Sequence, residues 1–544
     1  MPDPIPFDEW RPDLSSRTNP GAEARGVMSV AGQYGPFPSL QDYGAQAQAE
    51  AIVQGANAFY DSDTVPHIFF GDASKLYHLE SRVATDRSIS GGYSVGASDT
   101  WQFAQFGDNV IAVSRNVAPQ VFNMTVQPVV AFDDLGGSPP SGATSVARVG
   151  DFLWMGKDFT VHWSAFNNAA DWTPDPGTQA GNQELDQERG EIMSIIGLDY
   201  AAIFQERGIR RAIYVGPPVI WDFGQDYVEK ARGAIARNAA VAFGRMIYYA
   251  AIFQERGIRR AIYVGPPVIW DFGQDYVEKA RGCIARNAAV AFGRMIFYAA
   301  DDGFYVFDGQ ASTPIGYGKV DNYFTRNLNY AYRHKISCGI DWQRKLVVWA
   351  FPTAGSQMPN ELLIYSVQDG RWTHDFVDVE FLFSSPAEPF TVDNFKDLFP
   401  NDDLDDPNIS PDDIDSAVFD DRRIRLAAFQ TNPPHRMGLF TGPARRAVID
   451  TKEFEPISGG RALVTEIWPM GDMPREDVSA QIGYRRALPG APTRFTNATN
   501  MNKAGFCPQR IDARFMRARV RIAAGADWRR AEGVHYTAVR TGQR

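Results

Sequence analysis

The sequence predicts an all-β protein, in which a β-propeller-like array of blades of about 47 residues precedes a second, C-terminal β-rich domain. Two short apolar stretches that flank a tight polar turn recur along the chain. The turns fall at Gly107, Gly150, Gly197, Gly244, Gly293 and Trp342, so successive turns are 43, 47, 47, 49 and 49 residues apart. An apolar strand, a glycine-containing turn and a second apolar strand form the pattern of a hairpin. Hairpins repeated at ~40–50 residues are typical of propeller blades.

Composition supports strands over helices. The chain has 36 Phe, 21 Tyr and 12 Trp, which favour strands, and its 48 Gly and 35 Pro suit many tight turns. Several hairpins precede a further strand with an aromatic centre, as in residues 303–310 and 362–373. The WD and kelch signatures of common propellers are missing, so an ordinary β-sandwich with similar hairpins remains the alternative.

One unit of the array occurs twice. Residues 200–251 match residues 249–300 at an offset of 49, and only two of the 52 pairs differ, Ala234 facing Cys283 and Tyr248 facing Phe297. The offset equals one blade, so an added copy preserves the strand register. A recent duplication and an error in assembling the sequence both explain the copy, and the sequence does not distinguish them.

Composition also divides the chain. We expect an extended N-terminal segment over residues 1–44, the propeller over 45–378 and the C-terminal domain over 379–544. The last contains an acidic loop at 388–422, with eleven aspartates and one lysine between Asp393 and Asp421. The residues expected to face a partner are Asp402, Asp403, Asp405, Asp406, Asp412 and Asp413. The first four could also gather calcium, but the glycine and the closing glutamate of an EF-hand loop are missing.

A basic segment follows the acidic loop. Residues 513–525 alternate arginine with apolar side chains, which predicts a half-buried strand with one charged face. That face could pair within the chain, form a seam between subunits or touch DNA phosphates, or it could simply be solvated.

No constellation for catalysis or cofactor binding stands out. Cys283, Cys338 and Cys507 are expected to be free thiols, and no nucleotide-binding or metal-binding motif is present. Glu184, Asp186 and Glu188 form a local acidic set that a glycosidase could use, although acidic loops are common. His374–Asp375 is interpreted as a turn. The prediction is therefore no enzyme, no cofactor and no metal.

Charge and hydropathy limit the functional classes. The net charge of −11 argues against a protein that grips nucleic acid through a strong positive field. The first residues lack the basic and apolar regions of a signal peptide, and no run of ~20 apolar residues predicts a membrane span.

Several segments together carry a resemblance to a known family. They are VHWSAFNNAADWTPD (161–175), IIGLDYAAIFQERGIRR (195–211), NELLIYSVQDGRWT (360–373) and FTGPARRAVIDTKEFE (440–455). In these patterns the chain resembles the tail nozzle proteins of short-tailed, podovirus-type bacteriophages, also called tail tubular protein B or packaged-DNA stabilisation proteins. The resemblance covers most of the chain through distributed patterns and no single sharp motif. The near-identical double copy departs from the family.

The resemblance implies a structural virion protein, located in the phage tail and assembled in the host cytoplasm. Family members form a homo-hexameric ring with a propeller in each subunit, below the portal and its adaptor. The implied partners are the other subunits, the portal–adaptor protein, a tail fibre protein and double-stranded DNA that passes non-specifically through the lumen. An acidic wall would keep DNA from adhering during ejection.

Two other functions remain open. A propeller-based tail hub or receptor module would bind glycans through aromatic side chains at the blade ends. A polysaccharide-degrading enzyme would use Glu184, Asp186 or Glu188.

Overall fold

The fold is that of a computed structural model. It describes residues 4–15, 21–44, 46–63, 65–80, 82–97, 99–126, 129–197, 200–206, 208–223, 240–243, 249–254, 257–265, 269–271, 283–285, 287–293, 295–308, 312–386, 424–485 and 493–542. Nearly all of its regular structure is β, as predicted. Five short strands come first: β1 (Ile5–Pro6), β2 (Ala24–Arg25), β3 (Val27–Val30), β4 (Gln33–Pro36) and β5 (Pro38–Asp42).

Eight four-stranded antiparallel units follow in the described part of the chain, and we number them blades 1–8. Blade 1 consists of β6 (Gly55–Tyr60), β7 (Pro66–Gly71), β8 (Leu76–Glu80) and β9 (Val83–Asp86). Blade 2 consists of β10 (Gln102–Phe106), β11 (Asn109–Val113), β12 (Gln120–Asn123) and β13 (Asp133–Asp134). Blade 3 consists of β14 (Ser145–Val149), β15 (Phe152–Lys157), β16 (Thr160–Trp163) and β17 (Gly181–Glu184).

The next three blades include the duplicated residues. Blade 4 consists of β18 (Ile192–Gly197), β19 (Tyr200–Gln205), β20 (Gly208–Gly216) and β21 (Ile220–Asp222). Blade 5 consists of β22 (Ala240–Phe243), β23 (Tyr249–Gln254), β24 (Gly257–Gly265) and β25 (Ile269–Asp271). Blade 6 consists of β26 (Ala289–Phe292), β27 (Met295–Ala300), β28 (Gly303–Phe307) and β29 (Ser312–Pro314).

The last two blades include or adjoin strands from other parts of the chain. Blade 7 consists of β30 (Ser337–Asp341), β31 (Leu346–Phe351), β32 (Glu361–Ser366) and β33 (Trp372–Asp375). Blade 8 consists of β34 (Val379–Pro386), β35 (Ile424–Gln430) and β36 (Arg436–Ala444), with β5 as its outer strand. The helix α1 (Asp321–Asn327) lies between blades 6 and 7, and short 3-10 segments occur at Gln187–Arg189, Tyr330–Lys335 and Arg475–Asp477.

The blades close into a ring. The first strand of each blade contacts the first strand of the next, and β34 of blade 8 contacts β6 of blade 1. Apolar layers fill the space between neighbouring blades wherever side chains are described. Trp154 of blade 3 packs in one cluster with Ile203 of blade 4, and Val348 of blade 7 packs with Leu426 of blade 8. Each blade thus buries its faces against its neighbours, and the fold is a β-propeller, not the alternative sandwich.

The predicted turns have the expected place. Gly107, Gly150, Gly293 and Trp342 lie between the first and second strands of blades 2, 3, 6 and 7, and Gly197 ends the first strand of blade 4. Gly244 lies outside the described residues. Gly107, Gly150 and Gly293 adopt positive φ angles of 62°, 54° and 63°, a region that glycine enters without steric cost.

Both copies of the duplicated unit form blades. Tyr200 pairs with Ile213 in blade 4, and Tyr249 pairs with Ile262 in blade 5, at the same offset of 49. The repeated segment covers the last three strands of one blade and the first strand of the next, so the second copy adds one whole blade to the ring.

The C-terminal strands form a β-sandwich against blade 7. They are β37 (Ala447–Asp450), β38 (Arg461–Asp472), β39 (Val478–Arg485), β40 (Arg494–Phe495), β41 (Thr499–Asn500), β42 (Cys507–Ala513), β43 (Phe515–Ile522) and β44 (Arg530–Gly542). One sheet has the order β3-β4-β44-β38-β42, with β1 paired to β44. The other continues blade 7, in the order β33-β2-β37-β43-β39-β40, with β41 also on β39.

This topology moves two predicted boundaries. Residues 379–444 were expected in the C-terminal domain, but β34, β35 and β36 complete the propeller, and the sandwich begins at β37. Residues 1–44 were expected to be an extended segment, but their strands pair with the sandwich, with blade 7 and with blade 8. The reason is non-local pairing, since both ends of the chain contribute strands to shared sheets.

Candidate functional site

Two adjoining cavities lie at the centre of the ring. The first has a volume of about 280 Å³ and is lined by first-strand residues of several blades, among them Asn57, Gln102, Ser194 and Phe381. The second, of about 290 Å³, shares Gln54, Thr100, Asn287 and Phe381 with it. We call the two together the axial cavity. The ring geometry creates it, because the inner edges of the first strands face the axis.

The second half of the axial cavity contains a cation and a carboxylate in an apolar setting. Lys335 Nζ lies 2.9 Å from Met358 Sδ, a weak acceptor, and burial lowers the pKa of Lys335 although Glu380 opposes this. Glu380 Oε1 lies 2.6 Å from His435 Nδ1, and its Oε2 accepts a hydrogen bond from the Val53 N–H at 3.2 Å. Burial raises the pKa of Glu380.

This arrangement can bind a small polar molecule. An apolar cleft with a few converging polar groups is the usual form of a ligand site. Cavities of this volume suit a compact group and not a polymer duplex.

A second buried charged cluster surrounds His374, which is in β33 and not in the predicted turn. His374 Nε2 lies 2.6 Å from Glu23 Oε1, and Nδ1 lies 3.0 Å from Glu361 Oε1. The imidazole stacks on Trp10, with ring centroids 4.3 Å apart. Burial alone would lower the pKa of His374, but the hydrogen bonds to Glu23 and Glu361 raise it to about 9. The cluster joins the N-terminal segment to blade 7.

The predicted basic strand is confirmed as β43. Its side chains alternate between buried and partly exposed over Phe515–Ile522. Asp450, almost fully buried, accepts hydrogen bonds from Arg519 Nε at 2.6 Å and Nη2 at 2.8 Å. Arg517 Nε lies 3.8 Å from the same carboxylate. Part of the charged face therefore pairs within the chain, one of the alternatives left open by the sequence.

The predicted acidic residues divide into two groups. Asp402, Asp403, Asp405, Asp406, Asp412 and Asp413 lie outside the described residues. Asp186 caps the turn at Gln187–Arg189, accepting from the Glu188 N–H at 3.0 Å, and Glu184 Oε1 accepts from Gln187 Nε2 at 2.6 Å. These bonds hold the local loop and bring no pair of carboxylates into the axial cavity.

Other site classes find little support in the described ranges. No group of three or more His, Cys, Asp or Glu side chains there could hold a metal ion. The cysteines are free, and burial raises the pKa of Cys283 to about 12 and that of Cys507 to about 11, so both thiols stay protonated. None of the described helices has the length and apolar character to cross a membrane.

Comparison with known proteins gives only distant similarities. No protein-family model and no curated protein matches the chain. Among solved structures, the extracellular domain of a hybrid two-component system protein from B. thetaiotaomicron is 13% identical, with a TM-score of 0.35 over 62% of this chain and 46% of that one. A chain of the mitotic checkpoint complex is 9% identical, with a TM-score of 0.32 over 74% of this chain and 94% of that one.

Raptor from Chaetomium thermophilum is 9% identical, with a TM-score of 0.37 over 62% of this chain and 29% of that one. The chain thus spans about half or less of the first and third of these structures. Identities and TM-scores this low carry no argument about function.

Proposed function

We propose that the chain is the structural subunit of a phage tail nozzle, which retains packaged DNA and conducts it during ejection. The proposal rests on the resemblance of segments such as residues 161–175 and 360–373, and on a fold compatible with it. In this proposal the subunit is a virion protein and has no catalytic role.

The size of the axial cavity determines where DNA could pass in this proposal. Its two halves measure about 280 and 290 Å³. A DNA duplex has a major groove that alone is ~12 Å wide, so it does not pass through such a space. A chain that conducts DNA must therefore form the lumen between copies of itself. A closed ring with cyclic symmetry supplies such a lumen, and the proposed assembly is a homo-hexamer.

The connection between the two domains suits a wall component. Blade 7 and one sheet of the sandwich form a continuous ten-stranded sheet. Main-chain hydrogen bonds across β2 couple the two bodies, which opposes the relative motion usual between domains joined by a linker. A rigid subunit keeps the lumen at a fixed width under load. In the proposed tail, one end of the ring meets the portal–adaptor protein, and the outer surface carries the tail fibre protein.

Cryo-electron microscopy of the purified full-length chain tests the proposal. We expect closed rings with a central lumen that admits a duplex, and co-purification with the portal–adaptor protein when both are expressed together. A chain that stays monomeric at all concentrations and has no affinity for the adaptor would contradict it.

The axial cavity favours a second candidate, a receptor or glycan-binding module. Lys335, Glu380 and the Phe381 ring offer a cation, an acceptor and an apolar face to a sugar or another small polar ligand. A glycan array with the wild-type chain and Lys335→Met distinguishes the candidates. Glycan binding by the wild type that Lys335→Met abolishes would support the glycan-binding function. The absence of any signal on the array would contradict it.

A further inference from the structure

Three arginines that form no close ion pair within the described residues lie where the propeller joins the sandwich. Arg25 of β2 pairs in register with Val448 of β37, and Val448 pairs with Arg521 of β43. Residues paired across strands share one face of a sheet. Arg446, just before β37, lines the same two spaces as Arg521 and Arg25. We call Arg25, Arg446 and Arg521 the arginine triad.

Neighbouring arginines have partners that the triad lacks. Arg445 Nε lies 2.5 Å from Asp375 Oδ2, and Arg519 pairs with Asp450. In the described ranges, by contrast, no carboxylate lies within ion-pair distance of a triad guanidinium. Arg521 Nε is buried without a hydrogen-bond partner. The residue as a whole is only partly buried and lines a cleft, so the rest of its guanidinium group can meet a ligand there.

The triad lies in a cleft. Two spaces of about 360 and 520 Å³ share Arg446 and Ala524 as lining residues. Arg521 lines the first space together with Ser479 and Asn500, whose side chains can donate hydrogen bonds, and Arg25 lines the second.

Acidic side chains do not neutralise the cleft. Glu476 and Asp477 line the first space, but neither forms an ion pair with the triad among the described residues. Asp375 lines the second space and is already paired with Arg445. The positive charge of the triad is therefore available to a ligand.

We propose that the arginine triad binds a phosphate group, with Ser479 and Asn500 as further donors. Guanidinium groups match the oxygen geometry of phosphate and donate two parallel hydrogen bonds to it. The electrostatics agree, because the pKa of Arg521 is lowered, first by burial and then by the charges of Arg519, Arg446 and Arg25, although the Asp450 carboxylate opposes this. A bound anion would relieve this repulsion.

The phosphate has two sources, free phosphate and the backbone of duplex DNA. The inference goes beyond the proposed nozzle and holds for a monomer as well as for a ring. Isothermal titration calorimetry of the full-length chain in chloride buffer tests it, with inorganic pyrophosphate in one arm and a short duplex in the other.

We expect saturable binding of pyrophosphate that Arg521→Gln and Arg446→Gln each weaken at least about tenfold, because each removes charge-assisted hydrogen bonds. Arg446 is exposed, so its substitution tests the site without a risk to folding. Arg540→Gln, an exposed arginine on β44, is the matched control and should bind as the wild type does.

Loss of duplex binding in the two triad variants would identify the DNA backbone as the source, and unchanged duplex binding would identify free phosphate. The inference is overturned if the wild type shows no saturable pyrophosphate binding, or if the triad variants bind it as well as Arg540→Gln does.

Discussion

At the residue scale, the charged groups that the fold buries have partners far away in the sequence. Glu23 and His374 are 351 residues apart, and Arg519 lies 69 residues from Asp450. The sequence predicts the alternation of β43, because that pattern is local. It does not predict which carboxylate faces which arginine or histidine, because register between distant strands fixes those pairs. His374 was for this reason misassigned to a turn.

The His374 cluster predicts how stability depends on pH. The pKa of His374 is raised to about 9 in the folded chain, above the usual ~6.5. The protonated ring thus stabilises the fold fully below about pH 6.5, and the contribution disappears as the pH rises through 9. We expect it to be worth roughly 3 kcal/mol. Urea unfolding between pH 6 and 10 measures it.

The His374→Gln variant should be less stable than the wild type at pH 6. Its free energy of unfolding should then fall much less than that of the wild type as the pH rises to 10. His162→Gln is the control, since burial lowers the pKa of His162 to about 4 and its titration lies at acid pH. A His374→Gln variant that declines as steeply as the wild type between pH 6.5 and 9 would refute the assignment.

Asp450 provides a second test at this scale. Asp450→Asn leaves Arg517 and Arg519 partly buried without their carboxylate, which should cost about 3–5 kcal/mol. Urea denaturation at neutral pH measures the change. Asp527→Asn, an exposed aspartate in the same domain, should stay within about 0.5 kcal/mol of the wild type. Equal stability of the two variants would show that the Asp450 pairs contribute nothing net.

At the scale of elements, the hairpins of blades 2–7 follow from the sequence because each is local. The sequence does not predict blade 8, for two reasons. Residues 387–423 separate its first strand from its second, and its outer strand β5 comes from the N-terminus. The acidic composition of that separating segment suggested a new domain, whereas β34 and β35 pair across it, from Val379 with Gln430 to Pro386 with Ile424.

The strand β5 completes blade 8 at its outer edge. We expect the buried side chain just before this strand to hold it in place. Phe37 is 1% exposed and packs on Phe440 of β36, with ring centroids 5.5 Å apart. Phe37→Ala should cost about 3–5 kcal/mol and lower the melting temperature. Tyr317→Ala, at a residue that is 82% exposed, should have almost no effect. Calorimetry that found the two variants equally stable would contradict a closing role for this segment.

The duplicated blade permits a deletion that keeps register. Removing residues 249–297 joins Tyr248 to Tyr298, which is the counterpart of Tyr249 at the offset of 49. We expect a soluble chain with one blade fewer and cooperative unfolding, because every remaining strand keeps its neighbours along the sequence. Circular dichroism and electron microscopy check this outcome.

A deletion of residues 249–291 is shorter than the repeat and should misfold, which makes it the control. If both deletions aggregate alike, the blade supplied by the second copy is an integral part of the ring and not an addition to it.

At the scale of the whole molecule, the propeller and the sandwich behave as one body in this account. The continuous sheet through β2 is the reason, and the arginine triad lies beside this connection. Sequence patterns predict the two kinds of domain but not this connection, since β2 is only two residues long. We propose that such bodies assemble into a ring whose lumen lies between subunits.

The most direct test is cryo-electron microscopy of the full-length chain at a resolution that separates strands. We expect a closed ring of identical subunits, each with an eight-bladed propeller, and a lumen bounded by several subunits that is wide enough for a DNA duplex. Particles that are single subunits, or a ring without a continuous lumen between its subunits, would contradict it.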